Sequence, residues 1–313
     1  MENLFLDPYT ILLLAGFIGF FMAFGIGAND VANSMGTSVG SKAITIKQAI
    51  IIAAIFEFAG AFLAGGEVTS TNRKGIIDPQ LYENDINIFV IGMLSALLAG
   101  GTWLYVASLR GWPVSTTHTI VGSIIGFALI TKGVDAVSWG KVGNIAMSWV
   151  TSPLFSGTLA FGLYISAKKL ILDRSNPGEA AIKYIPFYSF LVAAVISLVT
   201  ARKGLKHVGI EFSDNEVYLF IAIFSSLVGL ATAFFLRNNK QQIMREGGIE
   251  FAFGLLMIVS ASAMAFAHGS NDVANAIGPL AAIVSVVDTG AIGSKAAISP
   301  WVLFVGGIGI VFG

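Results

Sequence analysis

Long runs of apolar residues, separated by short polar connections, occupy most of this 313-residue chain. Backbone N–H and C=O groups in hydrocarbon need partners within their own segment, so runs of about 20 apolar residues predict membrane-spanning helices. The runs lie at residues 9–28, 44–66, 86–108, 119–131, 140–172, 184–200, 216–236, 251–268, 274–287 and 298–313. The pattern predicts an all-α polytopic membrane protein.

Three of these runs do not have the length of a simple span. Helices over residues 119–131 and 274–287, at about 1.5 Å per residue, are shorter than the roughly 30 Å of hydrocarbon. We therefore expect half-helices or re-entrant helical hairpins at both places. The run 140–172 is longer than one span, and Pro153 is expected to break or kink it because proline removes a helix hydrogen bond.

Composition agrees with a membrane location and excludes several classes of protein. The chain is 55% hydrophobic and 12% charged, with a mean hydropathy of +0.81, whereas soluble domains carry about 25% charged residues. The 18 basic and 18 acidic residues balance, so no nucleic-acid partner is indicated. No cysteine is present to form a disulfide framework or a thiolate metal site. We expect a multi-pass protein of the cell membrane, in contact with the lipid bilayer.

Charged residues are concentrated in the connections between the apolar runs. Residues 237–250 are predicted to link a first half, residues 1–236, to the start of a second repeat at residues 251–313. If the runs 184–200 and 216–236 each cross once, seven basic residues share the linker's side and three lie on the other. The positive-inside rule then makes 237–250 a cytoplasmic linker.

One polar motif occurs twice within apolar surroundings. Residues 24–36 read FGIGANDVANSMG, and residues 266–278 read FAHGSNDVANAIG. Residues 40–49 and 293–302 also match each other, so the chain is predicted to contain two related halves. Repeated halves in transporters often place the substrate near mid-membrane on interrupted helices. We expect broken helices at both motifs, because glycine and Asn-Asp pairs lower helix propensity.

The repeated aspartates predict a cation site. A carboxylate at the bilayer centre costs about 2.5–3.5 kcal/mol, so Asp30 and Asp272 require partners. Helix capping is the alternative, although Ser or Thr would cap equally well. Asp30 and Asn33 share one helix face and, with Asn29 and free carbonyls, offer the hard oxygen ligands that suit Na⁺. His268 and Asp272 have the i, i+4 spacing of metal ligands, but the sequence shows no third ligand.

A second polar motif, GWPVSTTHT at residues 111–119, predicts an anion site. Ser115, Thr116 and Thr117 supply three hydroxyl groups at the start of a helix. The N-terminus of a helix is electropositive, and its first amides have no intrahelical acceptor, so it can bind an anion. An ordinary Ser/Thr N-cap at a re-entrant turn is the alternative. His118 is either a donor to the anion or a structural hydrogen bonder.

The two motifs together predict co-transport of a cation and an anion. Neither motif contains Lys or Arg, so an anion beside Asp30 and Asp272 would be repelled unless cations accompanied it. Bound Na⁺ would then raise the affinity for the anion. Protons could neutralise the same carboxylates. A passive channel and a hydrolase using Ser115 and His118 are two competing hypotheses, and the hydrolase would lack an orienting acid.

These motifs resemble the inorganic phosphate transporter (PiT) family. The resemblance rests on the doubled Gly-x-Asn-Asp-Val-Ala-Asn at residues 27–33 and 269–275 and on Pro-Val-Ser-Thr-Thr-His at residues 113–118. It implies a symporter of inorganic phosphate, not an enzyme, with two inverted repeats and with Na⁺, or in some members protons, as the coupled ion. The resemblance implies three sets of site residues. The implied phosphate ligands are Ser115, Thr116, Thr117, Asn33 and Asn275. The implied sodium ligands are Asn29, Asp30, Asn33, Asn271, Asp272 and Asn275, and the implied coupling or gating residues are Glu57 and His118.

The second half departs from the family pattern in two ways. Glu57 stands where the family has an intramembrane glutamate, but the aligned position in the second half is Ile310. The family pattern also leads us to expect a second Ser/Thr motif, and the 41 residues after Asp272 contain none, so we expect the sequence to be incomplete.

In the first half, Gly122 and Gly126 form a Gly-x-x-x-Gly pair. Such pairs are typical of close helix packing within one chain, and a homodimer is the alternative.

Overall fold

The computed structural model of the chain describes residues 4–72, 75–204, 212–292 and 298–313. Within these ranges the chain forms ten α-helices and no strand, apart from one isolated β-bridge. The helices are α1 (Pro8–Gly40), α2 (Ile46–Asn72), α3 (Ile86–Arg110), α4 (Thr116–Lys132), α5 (Trp139–Ala167), α6 (Pro177–Val199), α7 (Asp214–Asn238), α8 (Lys240–Ile243), α9 (Gly248–Thr289) and α10 (Pro300–Phe312). The π-helical turns Lys168–Leu172 and Thr200–Gly204 extend α5 and α6, and 3-10 turns lie at Pro79–Tyr82 and Val134–Ala136.

Seven of the described helices are long and apolar enough to cross a membrane: α1, α2, α3, α5, α6, α7 and α9. The prediction of an all-α polytopic membrane protein is therefore confirmed. Two segments used in the sequence analysis, the connection at 201–216 and the match at 293–302, lie partly outside the described residues.

The helices run between two surfaces. At one surface the start of α6 meets the segment after α7, where Lys240 lies 3.6 Å from Glu179. We call it the linker surface, because α8 and the connection from α7 to α9 lie there. At the opposite surface the start of α3 meets the end of α4, where Lys132 Nζ binds Asp85 Oδ2 at 2.6 Å. We call it the N-terminal surface, because the backbone N–H of Phe5 donates to Asn87 there.

Helices α3 and α4 form a hairpin whose two outer ends both lie at the N-terminal surface. Gly111, with φ +66°, ends α3 in the left-handed conformation that glycine adopts without strain. The 17-residue α4 then turns back, and Thr131 near its end lies 2.7 Å from the Tyr82 hydroxyl. The structure thus agrees with the half-helix predicted at residues 119–131.

The helices that carry the repeated motif are continuous, which corrects the prediction of breaks. Helix α1 has 33 residues and helix α9 has 42, and each runs through its motif. Residues 251–268 and 274–287 belong to one helix, α9, so the half-helix predicted at 274–287 is wrong. Helix α5 also continues through Pro153 without a break. An unpaired backbone group in lipid costs several kcal/mol, which exceeds the roughly 1 kcal/mol that each glycine costs a helix.

Glycines let α2 and α9 cross with their backbones in contact. A Cβ at Gly269 of α9 would overlap the carbonyl oxygen of Glu57, and a Cβ at Gly60 of α2 would overlap that of Phe266. Small residues that permit close approach are typical of helix interfaces within membranes. The glycines of the motif therefore serve helix packing.

Helices α1 and α10 cross in the same way. A Cβ at Gly27 of α1 would overlap the carbonyl oxygen of Ile310, and a Cβ at Gly313 would overlap that of Phe24. Gly27 corresponds to Gly269 in the repeated motif. The two crossings thus use corresponding residues of the two predicted halves.

Replacing Gly269 by alanine is expected to destabilise the α2–α9 crossing. The added methyl group must push against backbone, and overpacking of this kind costs about 1–3 kcal/mol or more. Gly278→Ala is the matched control, because a Cβ there meets nothing within 4 Å in the same helix. Thermal unfolding in detergent should show a lower midpoint for Gly269→Ala, and equal midpoints for the two variants would contradict the packing role.

Candidate functional site

Three carboxylates and one imidazole meet where α1, α2 and α9 come together. His268 Nδ1 lies 3.2 Å from Glu57 Oε1, and its Nε2 lies 3.0 Å from Asp272 Oδ2 and 3.8 Å from Asp30 Oδ2. Glu57 is 1% exposed and Asp30 is 7% exposed. We call these four residues the acid cluster. A carboxylate oxygen of Asp30, a ring nitrogen of His268 and a carboxylate oxygen of Asp272 all lie within 4.8 Å of one another. These three residues therefore have the spacing of a cation site.

Neighbouring residues on α1 orient two of the carboxylates. Asn33 Nδ2 donates to Asp30 Oδ1 at 3.2 Å, as their shared helix face predicts. The Ser34 hydroxyl, one residue further on, lies 3.3 Å from Glu57 Oε1 and 2.9 Å from the Val31 carbonyl oxygen, and it has one proton to share between these two acceptors. Helix α1 therefore contributes Asp30 itself and polar contacts to both Asp30 and Glu57.

The acid cluster needs positive charge from outside the protein. Two like charges about 4 Å apart repel by roughly 4 kcal/mol at the effective dielectric near 20 that suits such sites. One imidazole can supply at most one positive charge against the carboxylates of Asp30, Glu57 and Asp272. Small cations bound among the carboxylate oxygens would remove this repulsion, and carboxylate oxygens are good ligands for hard cations.

The tip of the α3–α4 hairpin contacts the acid cluster through α9. Asn275 Nδ2 donates to both Thr116 Oγ1 and Thr117 Oγ1, each at 3.2 Å. The Thr116 hydroxyl lies 3.5 Å from Asp272 Oδ2, at the outer limit for donation to that carboxylate. Thr116 is 2% exposed and Asn275 is 4% exposed, so this contact is buried. The Ser/Thr motif of the first half thus meets the second copy of the Asp/Asn motif directly.

Ser115 and His118 lie beside this contact at the start of α4. Ser115 is the N-cap of α4, and its Oγ accepts a hydrogen bond from the backbone N–H of His118 at 3.2 Å. The His118 ring packs against Trp149 of α5, with ring centroids 3.8 Å apart. Both residues line a cavity of about 780 Å³ together with Thr117 and Asn275. The capping interaction that the sequence left as an alternative for Ser115 is present.

Asn29 holds the loop at the hairpin tip. Its Nδ2 donates to the Ser108 hydroxyl at 3.2 Å and to the Trp112 carbonyl oxygen at 3.0 Å. Its Oδ1 accepts from the backbone N–H of Val114 at 3.1 Å. The amide therefore ties α1 to the loop between α3 and α4. Its role as a sodium ligand stays a prediction.

The structure brings most of the predicted site residues together, but not all. The residues joined by the contacts described above are Asp30, Asn33, Glu57, Thr116, Thr117, Asp272 and Asn275. Asn271 lies on the exposed side of α9, and its side chain has no hydrogen bond to any described residue. The sequence analysis missed His268 as a partner of Glu57. Its i, i+4 spacing from Asp272 was the available signal, and the third ligand, Asp30, comes from another helix.

Membrane-spanning helices with a buried polar site between them define an integral membrane protein of the transport class. The chain belongs to the phosphate transporter family, whose sequence profile matches residues 26–313. The fold, the family and the apolar helices together establish a multi-pass membrane protein of phosphate transport.

Individual relatives are similar over nearly all of this chain. A protein named "Putative phosphate permease" from Haemophilus influenzae is 51% identical over 311 residues, which cover 97% of this chain and 73% of the relative. Inorganic phosphate transporter 2-1, chloroplastic, from Arabidopsis thaliana is 40% identical over 94% of this chain and 54% of the relative. A solved structure titled "The sodium-dependent phosphate transporter" has a TM-score of 0.88 and 38% identity, covering 97% of this chain and 74% of that chain.

Replacing Asn29 by alanine separates loop anchoring from cation binding. The variant leaves the Val114 N–H and the Trp112 carbonyl without this partner, at a cost of about 1–3 kcal/mol in the stability of the loop. In uptake assays we expect the loss of the anchor to raise the apparent phosphate constant, and the loss of a proposed sodium ligand to raise the apparent sodium constant. An unchanged sodium constant would remove Asn29 from the sodium ligands and leave it only the anchoring role.

Proposed function

We propose that this protein carries inorganic phosphate across the cell membrane together with Na⁺, by alternating access. Phosphate binds at the tip of the α3–α4 hairpin, and Na⁺ binds in the acid cluster. The observation that carries the proposal is that Thr116 contacts both Asn275, in a buried hydrogen bond, and Asp272, in a partly buried one. It places the hydroxyl-rich helix start next to the carboxylates, so the two ligands would bind side by side.

The roles follow from the kind of atom that each residue offers. Ser115, Thr116 and Thr117 present hydroxyl groups and free amides at a helix N-terminus, which suits an oxyanion. Asn275 bridges Thr116 and Thr117, so its amide is within reach of the same ligand. The proposed phosphate ligands are Ser115, Thr116, Thr117, Asn33 and Asn275. The proposed sodium ligands are Asn29, Asp30, Asn33, Asn271, Asp272 and Asn275. Glu57 and His118 are proposed to act in coupling or gating.

Coupling of the two ligands is a consequence of charge. An oxyanion next to Asp272 would be repelled by several kcal/mol in a buried site. Na⁺ between the carboxylates turns that repulsion into attraction, so the filled cation site favours the anion. Thermodynamic linkage requires phosphate to raise the affinity for Na⁺ by the same factor. Phosphate would therefore bind poorly to the sodium-free protein.

Two inverted repeats give the fold the symmetry expected for alternating access. Helix α1 begins at the N-terminal surface, whereas α9, which carries the second copy of the motif, begins at the linker surface. The crossings of α1 with α10 and of α2 with α9 use corresponding glycines, which supports the same arrangement. We propose residues 1–236 as the first half, 237–250 as a cytoplasmic linker and 251–313 as part of the second.

Proton coupling is the second candidate, since protons could neutralise the same carboxylates. The similar solved structure is that of a sodium-dependent phosphate transporter, which favours Na⁺. A hydrolase has less support, because Ser115 Oγ accepts from a backbone N–H and the His118 ring packs on Trp149. Parallel uptake measurements under sodium and proton gradients in proteoliposomes discriminate between Na⁺ and H⁺.

Asp30→Asn is expected to abolish the sodium dependence of phosphate uptake. The amide keeps the shape of the side chain but removes a charge that Na⁺ needs, so sodium stimulation should fall by about tenfold or more, which equals roughly 1.4 kcal/mol of binding. Asp135→Asn, an exposed acid at the N-terminal surface, is the control. Normal sodium-driven uptake by purified, folded Asp30→Asn protein would defeat the coupling proposal.

The double variant Thr116→Ala with Thr117→Ala is expected to weaken phosphate binding more than sodium binding. Each lost hydrogen bond to a charged group is worth about 1.5–3 kcal/mol, so the apparent phosphate constant should rise by about tenfold or more. Ser123→Ala, about two turns further along α4 with its hydroxyl donating to the Thr119 carbonyl oxygen, is the control. Equal effects of the double variant on both constants would remove the assignment of separate roles.

A further inference from the structure

The cavity beside the hairpin tip extends from the proposed phosphate site to the N-terminal surface. Its inner end is formed by Thr117 and Asn275, which bond to each other. At its other end lie Gly75, Ile77 and Lys141. Ile77 forms the β-bridge with Val137, in the connection that follows the end of α4 at the N-terminal surface. The cavity of about 780 Å³ therefore spans the depth from that surface to the hairpin tip.

One wall of the cavity is a polar stripe on α5. Lys141, Asn144, Ser148 and Ser152 line it, spaced by three, four and four residues. At 100° per residue these side chains fall within about 80° of one another around the helix. The stripe descends one face of α5 from Lys141 at the surface to Ser152, deeper in the membrane.

The opposite face of α5 is apolar and exposed. Met147, Val150 and Leu154 are 65%, 62% and 65% exposed, as lipid-facing residues of a spanning helix would be. Among its described residues α5 has no buried side chain. A spanning helix that turns its polar residues to a cavity and its apolar residues to lipid is arranged to line water.

We propose that this cavity is the access path of the oxyanion from the N-terminal surface to the hairpin tip, with Lys141 as the capturing cation at its mouth. The inference rests on the proposed function, since it supplies the route to that phosphate site. The amide of Asn144 and the hydroxyl of Ser152 offer donors along the path, and Ser148 between them adds a polar surface while its own hydroxyl donates to the Ile145 carbonyl oxygen at 2.6 Å. The wall formed by Ile120, Val121 and Ile124 of α4 offers no hydrogen bond from its side chains, so the anion moves along α5.

Charge along the path favours an anion over a cation. Lys141 is exposed at the mouth, and a single basic residue at the opening of a low-dielectric cleft raises the local concentration of anions. The N-terminus of α4, with Thr117 near its start, presents positive potential at the inner end. The described side chains of the cavity lining include no Asp or Glu. If the linker is cytoplasmic, as its basic residues predict, this path opens to the outside.

The absence of cysteine from the chain makes the path accessible to direct mapping. Single cysteines are placed at Ser148 and Ser152 in the full-length protein in proteoliposomes. A membrane-impermeant anionic thiol reagent, sulfonatoethyl methanethiosulfonate, is added from one side at a time. Asp135→Cys and Glu246→Cys report the side on which the N-terminal and linker surfaces face.

We expect Ser148→Cys and Ser152→Cys to react from the N-terminal side and to lose phosphate uptake by about tenfold when modified. Saturating sodium phosphate should slow the modification, whereas sodium chloride should not. Val150→Cys and Leu154→Cys, at matched depths on the lipid face, should neither react nor lose uptake.

Three results would overturn the proposed path. One is the absence of labelling at both stripe positions in variants that still transport phosphate. Another is labelling from the linker side alone. The third is labelling that neither responds to phosphate nor affects uptake, which would indicate a water-filled or lipid-filled space off the route. In each case, sodium-driven phosphate uptake by the unmodified protein would still support the proposed function. Failure of the access path can therefore be distinguished from failure of the proposed function.

Lys141→Gln tests the capture role separately. We expect the apparent phosphate constant to rise about threefold to tenfold with an unchanged maximal rate, and the effect to shrink at high salt because exposed charges are screened. Lys169→Gln, at the linker end of the same helix, is the control and should leave the phosphate constant unchanged. An unchanged constant in Lys141→Gln would remove Lys141 from the path.

Discussion

The structure depends on one electrostatic constraint: three carboxylates meet around a single imidazole where α1, α2 and α9 come together. Asp30 and Glu57 are buried and Asp272 is partly buried, so water solvates them less than it would at the surface, and mutual repulsion opposes this arrangement. Only close helix approach and bound positive charge make the arrangement tolerable. The glycines at the crossing, Gly60 and Gly269, provide the approach, and small cations would provide the charge.

The anion site depends on the same helix. The start of α4 carries hydroxyl groups and free amides, but it becomes a buried site only where it packs on Asn275 and Asp272 of α9. Asn29 of α1 fixes the loop that presents this helix start. Helices α1 and α9 therefore each contribute both to the acid cluster and to the hairpin tip, which gives a physical basis for coupling between two ligands. The coupling needs no long-range communication, because Thr116 at the hairpin tip contacts both Asp272 of the acid cluster and Asn275.

The sequence predicted the elements better than the contacts between them. Apolar runs predicted the spanning helices and the half-helix at residues 119–131, because hydrocarbon leaves the backbone few alternatives. The same constraint explains the error at the motifs: helix propensity suggested breaks, but unpaired backbone groups in lipid cost more than glycines do. The sequence identified Asp30, Glu57 and Thr116 individually. It could not show that His268 lies between Glu57 and Asp30, since that geometry depends on how three distant segments cross. The partners of Asn29 were hidden for the same reason.

The most direct test of the account is equilibrium binding of labelled phosphate to the purified protein, with Na⁺ replaced stepwise by an inert organic cation at constant ionic strength and pH. The account predicts that the affinity for phosphate falls steeply as Na⁺ is removed, and that phosphate tightens the binding of Na⁺ by the same factor. Phosphate affinity that stays the same without Na⁺, across the pH range in which the protein is folded, would contradict the claim that cations in the acid cluster create the phosphate site.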